Sequence, residues 1–208
     1  MKVKTLFLIC FLSITCLLNA ADKPVIQIHT DNSSLIFRIA DNGRLYQSYL
    51  GKKLSHETDI SHLPHGTEAY ITHGMEDYFE PAIHILHNDG NPSLLLKYVS
   101  HETKAVSQGV NETIITLGDD KYPVTVKLHY VTYPAEDIIK TYTEISHKEK
   151  KPVVLHQYAS SMLHLNRAKY YLTEFAGDWA HEANISDQPL EFGKKVLDTK
   201  LGARANMF

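Results

Sequence analysis

The sequence predicts an all-β protein, a large antiparallel β-sandwich. Apolar and polar residues alternate along nearly every patterned stretch after residue 21, which is the spacing of strands with one buried face. Turn-forming residues separate these stretches, and no stretch repeats apolar residues every three or four positions over three helical turns. Ten or more short strands joined by tight turns are typical of a sandwich, here in a single domain.

The clearest strand begins at Val124. One face carries the apolar side chains Val124, Val126, Leu128 and Tyr130, and the other carries Thr125, Lys127 and His129. The same alternation, seen again over 139–145, predicts strands starting near Val25, Leu35, Leu45, Ile83, Leu94, Thr113, Tyr170 and Lys194. Turns are predicted between them at 41–43, 88–92, 118–120, 133–134 and 150–152.

The stretch from Val153 to Leu165 is ambiguous. It is apolar on both alternations, and its residues also fit a helix. Because both strand faces would be apolar, we expect a strand buried on both faces.

Residues 1–21 are predicted to be a secretory signal peptide. Lys2 and Lys4 precede an apolar run from Leu6 to Leu18, and cleavage near Ala20 or Ala21 follows. The run is too short for a transmembrane anchor. Lipidation of Cys16 is an alternative that the sequence leaves open. We therefore expect a secreted, periplasmic protein.

Composition limits the partners and the means of stabilisation. The two cysteines, Cys10 and Cys16, both lie in the signal, so residues 22–208 contain no disulfide and depend on their core. A formal net charge of −3 offers no basic surface for nucleic acid.

No metal site, cofactor site or catalytic group emerges from the residues. Among thirteen histidines, His84 and His87 are three apart on a strand and should face opposite sides. His62 and His65 flank a loop proline without a third ligand nearby. The carboxylate pairs 76–77, 119–120 and 136–137 are neighbours in sequence, and the last two lie in turns, whereas a glycosidase needs two carboxylates facing each other across a cleft.

Motifs across the whole of 22–208 resemble the N-terminal β-sandwich of glycoside hydrolase family 36, the retaining α-galactosidases. The motifs, in order, are "HGTEAY", "DYFEPAIHILHNDGNPSLLLKYVSHE", "YPVTVKLHYVTYPAEDIIKTYTEISHKEKKPVVLHQYASSMLHL", "YYLTEFAGDWAHE" and "GKKVLDTKLGARANMF". The "GARAN" form is most similar to periplasmic members from Bacteroidota.

The resemblance implies a non-catalytic, supersandwich part of a larger enzyme. The family's catalytic aspartates lie in a (β/α)8 barrel that follows this domain, so we expect the chain to be an N-terminal fragment or a truncated product. The implied partners are that barrel and a galactose-containing oligosaccharide.

The resemblance also gives a role to the single tryptophan. Trp179 occupies the Gly-x-Trp position, which in similar enzymes reaches the barrel rim and contacts the galactoside. An indole face suits the apolar face of galactose, and Asp178 is expected to position the loop or bond a hydroxyl. The alternative is that Trp179 only packs between sandwich and barrel.

The resemblance leaves the oligomeric state open. A homo-oligomer is possible, but the loop from Gly51 to His65 is shorter than in many members of the family, and Asp59 cannot be matched to their intersubunit aspartate. The alternative function is a stand-alone secreted carbohydrate-binding or cell-envelope sandwich without enzymatic activity. A barrel encoded in frame downstream would favour the α-galactosidase, and a stop codon with no barrel would favour the alternative.

Overall fold

The computed structural model describes residues 23–75, 79–165, 169–178 and 181–198, so the predicted signal peptide lies outside the described residues. Strands dominate the described chain, and the helix is a single short turn. The elements are β1 Val25–His29, β2 Ser33–Ile39, β3 Leu45–Lys52, α1 Glu57–Ser61, β4 Thr67–Glu68, β5 Ile83–Leu86, β6 Leu96–Ser107, β7 Val110–Asp119, β8 Val124–Tyr133, β9 Ile138–His147, β10 Val154–Tyr158, β11 Tyr171–Asp178 and β12 His181–Pro189.

The chain forms two compact units, residues 1–163 and 164–208. The first unit contains a sheet in the order β1-β2-β3-β4, a sheet in the order β6-β7-β8-β9, and the pair β5–β10. The second contains the β11–β12 hairpin. All of these pairings are antiparallel, which confirms the predicted fold class.

Because buried and outward-facing side chains alternate along the strands, the core of the first unit lies between its sheets. The predicted face of β8 is buried, and it meets apolar side chains from β1, β2 and β5 in one cluster. The Phe37 ring of β2 lies 5.2 Å from the Tyr130 ring of β8. Phe37 has no exposed surface. This layer of side chains joins the two sheets into a sandwich.

The predicted turns form where glycine permits them. Gly43 has a φ of 80° and donates its N–H to the Ala40 carbonyl at 2.9 Å. Gly90 has a φ of 84° and donates to the His87 carbonyl at the same distance. An L side chain is disfavoured at this positive φ, so these two glycines fix the positions of the turns.

The prediction for Val153–Leu165 is wrong in length and in burial. Only Val154–Tyr158 is a strand, and its residues Val154 and Tyr158 are 51% and 62% exposed. β10 pairs with β5 along one edge only, and Gln157, which donates to the Pro81 carbonyl at 2.8 Å, is the one half-buried residue of this strand. The strand predicted near Lys194 is also wrong, because residues 190–198 form no strand.

A buried hydrogen bond between the His87 imidazole and the Glu149 carboxylate holds the end of the β5–β10 ladder. His87 Nδ1 lies 2.7 Å from Glu149 Oε1, and the Tyr122 ring stacks on the imidazole at 3.6 Å. The His87 and Glu149 side chains are 0% and 2% exposed. The pair therefore ties the turn after β5 to the connection before β10.

None of the helices in the described ranges is both long and apolar enough to cross a membrane.

Replacing Phe37 with alanine tests the inter-sheet core. We expect Phe37→Ala to lower the free energy of unfolding by about 3–5 kcal/mol, because a fully buried aromatic ring leaves a cavity. Phe79→Ala is the matched control, since that ring is 65% exposed, and it should change stability by less than about 0.5 kcal/mol. Urea unfolding measures both variants. Equal effects would contradict the assignment of Phe37 to the core.

Candidate functional site

The predicted site residues fall at the end of the β11–β12 hairpin. Asp178 is the last residue of β11, and its backbone pairs with His181, the first residue of β12. The ladder shifts register between Ala176 and Asp178, where Gly177 lies opposite two residues of β12, 182 and 183, so the bulge is on β12 and Ala183 has a φ of 52°. Trp179 and the Asp178 side chain lie outside the described residues, and their substrate-binding role stays a prediction.

One face of this hairpin exposes large apolar side chains on either side of a polar pair, in which the Thr173 hydroxyl donates to Asp187 Oδ1 at 2.9 Å. Register places Tyr171 opposite Pro189 and Phe175 opposite Ile185, all on the same face. Tyr171, Phe175 and Ile185 are 66–68% exposed. Large apolar side chains grouped on a two-stranded hairpin are typical of a surface that packs against another body.

The opposite face of the hairpin is polar. Gln188 Nε2 donates to Glu174 Oε1 at 3.0 Å, and Lys195 Nζ lies 3.8 Å from the same carboxylate oxygen. A cleft of about 510 Å³ lies along the side of β11, next to the segment 195–198, and is lined in part by Glu174 and Lys195 from the polar face and by Phe175 from the other face. Its volume falls within the range of small-molecule sites, and its lining combines an aromatic ring with hydrogen-bonding groups.

In each of the described carboxylate pairs, 119–120 and 136–137, one acid accepts hydrogen bonds at a turn, as predicted. Asp119 accepts hydrogen bonds from the backbone N–H groups of residues 121 and 122, at 2.6 and 2.8 Å. Asp137 accepts from the hydroxyls of Thr30 and Ser33. The Thr30 hydrogen bond is the main cause that lowers the pKa of Asp137. The pair 76–77 lies outside the described residues.

His84 and His87 contact different aromatic rings. His84 stacks on His73 at 3.7 Å and lies 4.7 Å from the His156 ring, whereas His87 stacks on Tyr122. The separate partners of His84 and His87 agree with their opposite directions on the strand. Burial, followed by the two neighbouring imidazoles, lowers the pKa of His84. Within the described ranges, no three His, Cys, Asp or Glu side chains form a group that could hold a metal ion.

The sequence did not predict one ionic network, which lies on the outer face of the sheet formed by β6, β7, β8 and β9. Glu112 of β7 accepts hydrogen bonds from Tyr142 at 2.6 Å and His129 at 2.9 Å, and pairs with Lys104 at 3.0 Å. The Tyr142 and His129 rings stack at 4.2 Å. The hydrogen bonds from Tyr142, His129 and Lys104 lower the pKa of Glu112 to about 2.

Register explains why this network forms. β8 pairs with β7 and β9 so that the outward residues of the three strands are adjacent, with His129 directly opposite Tyr142. The sequence shows that these positions face outward, but the register that brings them together comes from strand pairing. Glu112 and His129 are each 6% exposed, so these two groups stabilise the sheet and offer little surface to a ligand.

Comparison with known proteins assigns the chain to a family. The glycosyl hydrolase family 36 N-terminal domain matches residues 42–207, and the chain belongs to this family. It is 23% identical over 147 residues to the probable α-galactosidase G of Aspergillus terreus and to the α-galactosidase C of Emericella nidulans. Those matches cover 64% of this chain and 20% of each relative.

Solved structures show the same fold. The galactosidase domain of the α-galactosidase–sucrose kinase AgaSK matches 81% of this chain with a TM-score of 0.73 and 20% identity. The family 36 α-galactosidase AgaA of Geobacillus stearothermophilus matches 82% with a TM-score of 0.71 and 19% identity. An AgaA variant has been solved in complex with raffinose. The chain spans 28% of each of these structures.

Replacing Glu112 with glutamine tests the network through its pH dependence. The folded-state pKa is about 2 against an ordinary 4.5, so the ionised carboxylate stabilises the fold above pH 4.5 and this contribution is lost as the pH falls towards 2. Glu112→Gln should lower stability at pH 7 by about 1–3 kcal/mol, and the difference from the wild type should narrow below pH 4.5.

Urea unfolding at several pH values measures this difference. Glu136→Gln, in an exposed turn, is the control and should change stability by less than about 0.5 kcal/mol at every pH. A difference between wild type and Glu112→Gln that stays constant from pH 7 to pH 3 would contradict the network.

Proposed function

We propose that the chain is the non-catalytic N-terminal sandwich of a retaining α-galactosidase that removes terminal α-linked galactose from oligosaccharides. The observation that carries this proposal is the family 36 N-terminal match over residues 42–207. The relatives matched by sequence are named α-galactosidases, and the chain spans about a fifth of their length. The activity of the whole enzyme is therefore proposed, with its catalytic groups supplied by a barrel outside this chain.

The exposed apolar side chains on one face of the β11–β12 hairpin support a role in binding that barrel. Tyr171, Phe175 and Ile185 expose large apolar areas on one face, whereas a hairpin of two strands is marginally stable unless a neighbour covers it. Packing this face against the catalytic barrel would remove the apolar area from water. The same contact would bring the connection between β11 and β12 to the barrel surface.

Trp179 is the residue proposed to contact substrate. It lies in the two-residue connection that follows Asp178, where a strand end can present a side chain to a neighbour. An indole provides a flat apolar surface for the C–H face of galactose, while the Asp178 carboxylate can accept a hydrogen bond from a sugar hydroxyl. Raffinose, bound by an AgaA variant, carries a terminal α-linked galactose and represents the proposed substrate class.

We also propose that the protein is periplasmic. Residues 1–21 have the charged start, apolar run and small-residue exit of a signal peptide, which would deliver the chain to the periplasm.

The chain alone is expected to be inactive. The purified 208-residue chain should not hydrolyse an aryl α-galactoside, because neither its turn acids nor its strand neighbours provide a facing nucleophile and acid/base pair. Release of the aryl group measures turnover. Activity of the pure chain that is abolished by Asp77→Asn would contradict the assignment of catalysis to the barrel.

The Trp179 proposal is tested in the protein that joins this chain to its barrel. Trp179→Ala should lower kcat/KM for raffinose by about 10- to 100-fold, the effect of losing stacking and apolar contact with one sugar ring. Trp179→Phe keeps an aromatic face and should retain most of the activity. Melting temperatures distinguish binding from packing. A stability loss of about 3–5 kcal/mol for Trp179→Ala with unchanged kinetics would assign the indole to packing.

A further inference from the structure

The side chain of Tyr142 lies flat across the outer face of the sheet formed by β6, β7, β8 and β9. It starts from β9, and its hydroxyl donates to Glu112 Oε1 of β7 at 2.6 Å, so the ring crosses the intervening strand β8. There it covers the His129 imidazole, with ring centroids 4.2 Å apart and planes within 13° of parallel. His129 is 6% exposed and Tyr142 is 39% exposed. One face of the phenol ring therefore rests on the imidazole, and the other faces solvent.

The Tyr142 ring is held in this position before any ligand arrives. Strand pairing places its backbone directly opposite His129, and the hydrogen bond to Glu112 fixes the far end of the side chain. The pKa of Glu112 is lowered to about 2, mainly by the hydrogen bond from Tyr142, so the carboxylate stays ionised and keeps accepting at neutral pH. A ligand that covers a side chain already held in place costs little conformational entropy.

Charged side chains of both signs surround the ring. Lys140 Nζ lies 5.8 Å from the ring centre, and Lys104 Nζ lies 3.0 Å from Glu112 Oε2. Glu144 follows Tyr142 on the same face of β9, and its carboxylate lies 3.4 Å from Lys127 Nζ. The side chains of Lys104, Lys127 and Glu144 are 54%, 40% and 52% exposed. The ring is therefore bordered by accessible hydrogen-bond donors and acceptors whose charges nearly cancel.

We propose that this surface binds a neutral sugar, with one pyranose ring stacked on Tyr142 and its hydroxyls hydrogen-bonded to the surrounding lysines and Glu144. A pyranose has an apolar C–H face that suits the open face of the phenol ring. Its hydroxyls both donate and accept, so they match a border that holds ammonium and carboxylate groups together. A ligand with a net charge gains little where the charges nearly cancel. The inference is independent of the α-galactosidase assignment, because it uses neither Asp178 nor Trp179.

Saturation-transfer NMR of the 208-residue chain tests the site and the class of ligand. The probes are the methyl α-glycosides of galactose, glucose and mannose, with glucuronate and glucosamine as charged controls. We expect at least one neutral glycoside to bind with a Kd on the order of 1 mM, tighter than either charged sugar. Saturation should fall mainly on the C–H protons of one sugar face. No binding of any neutral glycoside up to about 50 mM, tighter binding of a charged sugar, or uniform saturation would overturn the proposal.

Substitutions of Tyr142 test the stacking, with the same NMR titration as the readout. Tyr142→Leu keeps an apolar cover over His129 but removes the flat ring, so the glycoside should bind at least about tenfold more weakly. Tyr142→Phe keeps the ring and should bind within about threefold of the wild type.

Two further variants are controls, and circular dichroism verifies that every variant folds. Tyr158→Leu removes a ring that is 62% exposed on β10, and Trp179→Ala removes the indole proposed to contact the α-galactosidase substrate. Both should bind the glycoside within about twofold of the wild type, because neither residue belongs to the Tyr142 surface. Unchanged binding by Tyr142→Leu, an equal loss in Tyr142→Phe, or a loss in Trp179→Ala as large as in Tyr142→Leu would overturn the proposal.

Discussion

Packing between the side chains of β2 and β8 joins the two sheets of the first unit, and the positions of the outer groups depend on it. Phe37 and Tyr130 lie 5.2 Å apart at the centre of the apolar cluster. Both cysteines lie in residues 1–21, so no disulfide supports this contact in the rest of the chain. Because strand side chains alternate, burying one face of β8 determines that His129 faces outward. The inward core therefore places the Glu112 network outside.

Alternation made the fold class predictable from the sequence, and glycines made the turns predictable. The strand beginning at Val124 and the turn at Gly43 are present as expected. Register was not predictable, since it depends on which strands become neighbours. That is why the Glu112 contacts with His129 and Tyr142 were missed. The error at β10 has a different cause: apolar composition indicates that a segment avoids water, but it does not identify what covers the segment.

The hairpin shows the same limit in the candidate site. Sequence pattern and family resemblance identified the segment around Trp179, and the structure confirms two paired strands on either side of it. It also shows that Tyr171, Phe175 and Ile185 share an exposed face, which the alternation of β11 and β12 produces. These residues would be poor choices for the surface of an isolated domain. In the proposed enzyme we expect these three side chains to pack against the barrel, and the role of Trp179 in substrate binding stays a prediction.

The fluorescence of Trp179 tests the central proposal, that the indole is available to a neighbour rather than part of this chain's core. It is the single tryptophan of the chain, so the emission reports on one site. The folded 208-residue chain is predicted to emit at nearly the wavelength of the same chain in urea, and acrylamide should quench both with similar efficiency. Blue-shifted emission that is protected from acrylamide and moves to longer wavelength on unfolding would show a core residue and contradict the proposed contact with substrate.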